Sequence, residues 1–322
     1  MLVPTTAMVT ALALLVASWP GAARAKSANV EAALIVAGDA VIPGLPLEAG
    51  IRLRMTPGWH VYWKNPGDSG LPPTVSWILP EGFRAGPIEW PAPTRFLDEG
   101  LVTYGYHDEV VLPIRIETPG SLPGDSVALV ARVDWLECKD ICVPGSATLR
   151  LDLPVKAEPR LRGWASRHTI ERARSQLPDT VGWFLQGESG PRSVSLSFIP
   201  ARHNKPRSAY FYADEPLLVD YASPQGFEQV GQLWRVTMKP DPNANRNLDR
   251  LTGVLVVDGT GGSHSVRVDV PLRAGDPAPA PPQPLLPPRT PSAAAYVAIL
   301  AALAIVVALL VPRILRRRTH HN

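Results

Sequence analysis

Cysteine is nearly absent from this 322-residue chain: there are two, Cys138 and Cys142, and no C-x-x-C pair. Runs of Lys or Arg are missing from the body of the sequence, so it has no electrostatic footprint for nucleic acid. The net charge of +3 is a property of its ends: without Arg313, Arg316, Arg317 and Arg318 it becomes −1, and without Arg24 it becomes −2. No Ser/His/Asp arrangement, phosphate-binding loop or carboxylate pair stands out, which leaves hydrolase and phosphoryl-transfer chemistry without a candidate. Long helical periods are scarce and no internal repeat is evident, which argues against a helical bundle or solenoid.

Long apolar runs are confined to the termini. Ala11 to Trp19, followed by Ala23-Arg24-Ala25, reads as a secretory signal over residues 1–25, with the small-x-small triplet as its cleavage pattern. The segment before it carries no Lys or Arg, so an uncleaved anchor is the competing reading. Ala293 to Val311 is an unbroken apolar run of 19 residues, close to the ~20 needed to cross a bilayer. The four arginines beyond Pro312 act as a cytoplasmic stop. A core helix would rarely be apolar on every face. The expectation is a single membrane helix at 293–312, a basic cytoplasmic tail at 313–322, and the bulk of the chain outside the cytoplasm.

What is plentiful is proline, 36 residues, and short alternating segments. Val30–Val36, Ile51–Met55, Thr74–Ile78 and Val110–Ile116 read as strands separated by Pro/Gly turns, and Asn65-Pro66-Gly67-Asp68-Ser69-Gly70 reads as a loop. Spacing of this kind suggests an antiparallel β-sandwich over residues 26–156. Glu158 to Leu177 has apolar residues at helical spacing and stops at Pro178, predicting a connecting helix. Strand patterns resume at Val194–Ile199, Ser208–Tyr212, Leu217–Tyr221 and Gln232–Met238. A last pair, Leu255–Val257 and Val266–Leu272, is joined by Gly259-Thr260-Gly261-Gly262. These make a second β-sandwich, so 157–275 is the second domain with its leading helix. Eight prolines between Asp276 and Pro291 mark 276–292 as an extended linker, roughly 50 Å long at ~3.1 Å per residue. The expected fold class is all-β.

The cysteines sit between two alternating runs, Val127 to Trp135 and Ala147 to Val155, in a connection punctuated by Pro144-Gly145. In an oxidising compartment two cysteines so close will pair. A structural staple is one reading, but a loop of ~5 residues yields only about 2 kcal/mol of chain-entropy stabilisation, against about 4–5 near 100 residues. A thiolate metal site is another; it needs further ligands, and His60, His107 and Met55 are the nearest by type. Redox exchange is the third. Asp140 and Glu137 would raise a neighbouring thiol's pKa, whereas Lys139 would lower it.

Three separated segments bear on that choice. Thr56 to Gly70, Thr103-Tyr104-Gly105-Tyr106, and Cys138 to Pro144 together resemble the N-terminal periplasmic region of the DsbD/ScsB family of thiol:disulfide interchange reductases. The second sandwich resembles the extra one in the ScsB branch. The resemblance implies two immunoglobulin-like domains in the periplasm, a redox pair Cys138/Cys142, and no cofactor or bound metal. It implies that electrons come from a multi-span membrane reductant and go to thioredoxin-like or substrate proteins. It assigns the partner-facing sulfur to Cys142 and the resolving one to Cys138. An aromatic cap loop shields the pair in that family, and Arg95 to Tyr106 is the matching region, with Phe96, Tyr104 and Tyr106 as candidates. Trp59, Tyr62 and Trp63 read as core, and His60 as a satisfied hydrogen-bonding residue. The chain departs from the family in having one membrane span and no further cysteine. It is therefore no complete transmembrane reductase, and the missing modules would be separate proteins. A binding module with a structural disulfide is the alternative reading, and a copper-handling protein the third.

Overall fold

Alternation along the sequence becomes a set of long antiparallel ladders in the computed structural model, which describes residues 22–98, 100–158, 164–190, 192–200, 205–243 and 249–274. The first half of the chain runs β1 (Ala22–Lys26), β2 (Val30–Val36), β3 (Leu47–Met55), β4 (His60–Gly67), β5 (Thr74–Ile78) and β6 (Arg84–Ala85). It continues with β7 (Thr94–Asp98), β8 (Leu101–His107), β9 (Glu109–Glu117), β10 (Ser126–Cys138) and β11 (Cys142–Pro154). One helix, α1 (Trp164–Arg174), leads to β12 (Phe184–Ser189), β13 (Val194–Ile199), β14 (Pro206–Ala213) and β15 (Gly226–Val230). β16 (Leu233–Met238), β17 (Arg250–Gly259) and β18 (Gly262–Ala274) complete it.

Two sheets form from the first half. One has the order β1-β2-β3-β9-β6; the other runs β11-β10-β4-β8-β7, with β5 also pairing β10. Along β10, Val127, Leu129, Ala131, Val133 and Trp135 are buried, and along β11 Ala147, Leu149, Leu151 and Leu153 are buried. Alternating burial on both strands means one face of this ladder closes the core while the other meets water. Each such buried aliphatic contributes about 1.5–3 kcal/mol relative to exposure. The second half forms one sheet in the order β14-β17-β18-β12-β13-β16-β15. The apolar side chains of both halves belong to one contiguous core, within a unit that ends at Pro277.

Helix α1 ends at Arg174, short of Leu177. Ile170 and Ala173 are buried with Ala33, Ile35 and Val111 on the first sheet. Arg174 bridges Glu48 and Glu89 from the last turn, where a cation also complements the helix dipole.

Three local expectations differ from the structure. Of Asn65–Gly70, read as a loop, the residues Asn65–Gly67 belong to β4, which runs on past the proline. Leu217–Tyr221 is no strand: Leu217 takes a left-handed φ of 59°, which bends the chain, yet Leu218, Val219 and Tyr221 are buried from the resulting loop. Pro144-Gly145 do not punctuate the hairpin. They lie inside β11, paired with Leu136 and Trp135, and the Trp135 indole lies on Gly145 so closely that a Cβ there would fall 2.4 Å from its ring. That glycine is a packing requirement, not a turn.

No helix among the described residues is long and apolar enough to cross a membrane. The segment 293–312, the linker 276–292 and the tail 313–322 lie outside the described residues, as do residues 1–21. Ala23-Arg24-Ala25 falls within β1, which pairs antiparallel with β2.

Candidate functional site at the Cys138–Cys142 hairpin

β10 and β11 run in register from Ser126 opposite Pro154 to Cys138 opposite Cys142. The tip is Lys139-Asp140-Ile141, closed by the Lys139 N–H donating to the Ile141 carbonyl at 3.2 Å. The two cysteines are joined in a disulfide with Cα atoms 4.2 Å apart. They are not equivalent. Cys138 is 1% exposed, whereas Cys142 is exposed and follows Ile141, which is 67% exposed. Cys142 is thus the cysteine of the pair that meets solvent.

β4 supplies the floor. Cys138 pairs with His60, and Glu137 with Val61. The His60 ring is buried, lies edge-on to Tyr62 at 5.2 Å, and is stacked by Phe96 of β7 at 4.8 Å. The Tyr62 hydroxyl is 3.5 Å from Cys142 Sγ. A disulfide sulfur carries no hydrogen, so the hydroxyl is the donor. Behind this ring lies the backbone of Gly70 at φ +114°; a Cβ there would fall 2.3 Å from the Tyr62 ring. Only glycine lets the loop cover the tyrosine so closely.

On the other side of the strand Glu137 is fully buried. Its carboxylate accepts from the Ser27 hydroxyl at 2.6 Å, from Asn29 N–H and side-chain Nδ2 at 3.2 Å each, and from Trp135 Nε1 at 3.1 Å. Donors on both oxygens offset the desolvation a buried carboxylate would otherwise suffer. This network ties the segment before β2 to the base of the cysteine hairpin.

Of the three cap candidates, Phe96 lies in the β7–β8 hairpin and packs on His60 beside the pair. Tyr104 and Tyr106 point elsewhere. Tyr106 is buried and donates to the Pro91 carbonyl at 2.8 Å. Tyr104 is wholly buried against Tyr210, Tyr212 and Tyr221, at ring distances of 6.2, 5.0 and 5.4 Å, and its hydroxyl meets that of Tyr210 at 3.0 Å. Burial pushes the Tyr104, Tyr106, Tyr212 and Tyr221 hydroxyls above their ordinary range, so all four stay protonated at neutral pH. Trp63 is fully buried, edge-on to Tyr212, and Trp59 is partly buried against the core. His107 is exposed and bonded to Asp108, and Met55 is buried in the core. Among the described residues no group of three or more His, Cys, Asp or Glu side chains is placed to hold a metal ion.

Tyr62 read as core and is buried, and Glu137 read only as an acidic neighbour of the thiols; their contacts at the cysteine hairpin had no signal in the sequence. Alternation from His60 does place Tyr62 on the same strand face. The cross-strand register that brings it to Cys142 had no signal in composition.

Residues 31–154 match the family model described as thiol:disulfide interchange protein DsbD, N-terminal. Among solved structures, the N-terminal periplasmic domain of ScsB from Proteus mirabilis superposes with a TM-score of 0.59 at 21% identity, covering 77% of this chain and 96% of that one. The sporulation control protein Spo0M from Bacillus subtilis aligns at 12% identity over 76% of this chain and 91% of its own. Its TM-score is only 0.21, too low to carry an argument. No curated protein matches the chain.

Proposed function

Residues 31–154 belong to the family of the DsbD N-terminal region, and from that premise we propose that the chain is a membrane-anchored periplasmic thiol–disulfide exchange protein. In this reading residues 26–156 and 157–275 are two immunoglobulin-like sandwiches, carried on the linker 276–292 by the helix 293–312. The Cys138–Cys142 pair relays electrons from a multi-span membrane reductant, supplied by a separate chain, to thioredoxin-like or substrate proteins.

The observation that carries this reading is the unequal exposure of the two cysteines, Cys142 exposed and Cys138 buried. In the reduced protein the Cys142 thiolate attacks one sulfur of a partner disulfide. A mixed disulfide forms and the partner's other sulfur leaves as a thiolate, which takes up a proton. The Cys138 thiol gives up its proton and its thiolate attacks Cys142 Sγ. The Cys138–Cys142 bond closes and the second partner sulfur departs as a thiolate. Two electrons have passed to the partner; the membrane reductant returns them by the reverse sequence. A Tyr62 hydroxyl that donates to Cys142 Sγ favours the thiolate over the thiol, which helps both attack and departure.

The test is the reduction potential of the pair in the full chain, by thiol trapping in graded redox buffers. A value of roughly −180 to −270 mV is expected of an exchange protein. A value below about −300 mV marks a structural bridge, and a binding module with an inert disulfide becomes the better description.

A further inference from the structure

The second half of the molecule grips β4, the strand that carries His60 and Tyr62 beside the cysteines. Asn65, five residues along β4 from His60, is fully buried. Its Nδ2 lies 2.9 Å from the Ala213 carbonyl, 3.2 Å from the Glu215 carbonyl and 3.0 Å from the Tyr221 hydroxyl. Its Oδ1 accepts from the Tyr221 hydroxyl at 3.3 Å and from the Gly67 N–H at 3.1 Å. Thus one amide side chain fastens both the second half of the chain and the turn that follows it. Asp68 then locks that turn to β8, its backbone N–H donating to the Val102 carbonyl at 2.8 Å and its carboxylate accepting from the Val102 N–H at 2.7 Å. Two residues later Gly70 lies against the Tyr62 ring, whose hydroxyl reaches Cys142 Sγ. Next to Asn65, Lys64 pairs with Asp214 at 2.5 Å, and Asp214 also pairs with Arg267.

We propose that the segment Asn65–Gly70, the end of β4 and the turn after it, is a positioning element through which the second half of the chain holds the Tyr62 hydroxyl on Cys142, with Asn65 as its anchor. The chain of contacts is continuous: Ala213, Glu215 and Tyr221 fix Asn65, Asn65 and Asp68 fix the turn, and Gly70 presses the ring into place. Loosening the anchor frees the ring to leave the sulfur, and Cys142 loses a donor that favours its thiolate. The proposal rests on Cys142 being the accessible sulfur. It deepens the exchange reading by giving the second sandwich a part in it.

The experiment is the pH dependence of iodoacetamide labelling of Cys142 in the reduced full chain, followed by peptide mass spectrometry. Compared are the wild type, Tyr62→Phe, Asn65→Ala, Tyr221→Phe and the double variant Tyr62→Phe/Asn65→Ala. Labelling of Cys142 at pH 7 is expected to fall about threefold in Tyr62→Phe, with its midpoint about half a pH unit higher. Asn65→Ala is expected to reproduce that shift, Tyr221→Phe to show part of it, and the double variant to match Tyr62→Phe alone. A folded Asn65→Ala protein with the wild-type profile overturns the proposal, as does a double variant whose shift is the sum of the singles. If Asn65→Ala does not fold, Tyr221→Phe decides, since it deletes one hydroxyl and keeps the ring: a wild-type profile for it overturns the proposal. Labelling does not depend on the reduction potential. A potential below about −300 mV would remove the exchange reading and leave this comparison intact.

Discussion

At its start β4 places His60 and Tyr62 beside a disulfide whose second cysteine is exposed; a few residues on, it buries Trp63 edge-on to Tyr212 and Asn65 on the Tyr221 hydroxyl, both from the second half of the chain. The first end includes ring contacts among His60, Tyr62 and Phe96 and a long bond to a soft sulfur. The second is held by a dense set of short hydrogen bonds to backbone carbonyls and hydroxyls. The difference is one of exposure. In the proposed exchange reaction a sulfur that changes partners needs neighbours that tolerate a second protein. At the buried end the Asn65 amide is matched on both its nitrogen and its oxygen, whereas Trp63 Nε1 has no hydrogen-bond partner among the described residues, and each unmatched buried polar atom costs about 1–3 kcal/mol.

The strongest way to break this comparison is at the cysteines themselves. With an oxidised thioredoxin-like partner, reduced Cys138→Ser protein is expected to accumulate the mixed disulfide, whereas Cys142→Ser protein forms roughly 100-fold less. Non-reducing gels read the difference, and equal trapping by both variants would erase the distinction between the sulfurs. At the buried end, Tyr104→Ala is expected to cost about 3–5 kcal/mol in urea unfolding, while Phe96→Ala at the cysteine end costs about 1 kcal/mol. Equal losses would mean that the two ends are built alike.

Alkaline pH sharpens the same contrast. The four buried tyrosines have folded pKa values above the ordinary 10.0. A raised folded pKa adds stability that is fully present below the unfolded value and is lost as pH rises toward the folded one. Unfolding free energy should therefore fall above pH 10, by about 1.4 kcal/mol per pH unit for each tyrosine that stays protonated in the fold. Tyr104→Phe should flatten that slope in denaturation series between pH 9 and 11. The smallest effect belongs away from both ends. Arg150 pairs with Asp152 at 2.7 Å with both side chains about 60% exposed, and Arg150→Ala should cost less than about 1 kcal/mol.

The all-β character was legible because period-two alternation is a local signal. Val127 to Trp135 and Ala147 to Leu153 display it residue by residue. The cysteine hairpin followed from those flanks. Tyr104 read as a cap residue because its place next to the β7–β8 turn is visible in sequence. Its true neighbours lie more than 100 positions away, and no local pattern names them. Tyr62 read as core, and it is 2% exposed; alternation gives its face, but only the pairing of β4 with β10 shows which sulfur it meets. Leu217–Tyr221 misled in the opposite sense. Its apolar residues are buried as a strand's would be, but from a loop turned by a left-handed leucine.

Glu137 bears on the order in which this molecule assembles. Its carboxylate draws on Ser27 and Asn29, some 110 residues earlier in the chain, whereas the disulfide beside it spans a separation of 4. The bond between the sulfurs can form as soon as the β10–β11 hairpin does, a local event needing little loop closure. The buried carboxylate finds its donors only once the distant segment has docked. Oxidation at the tip and closure at the base are thus separable events in folding. In the proposed exchange reaction the sulfurs open and close at the tip, while the Glu137 network holds the base.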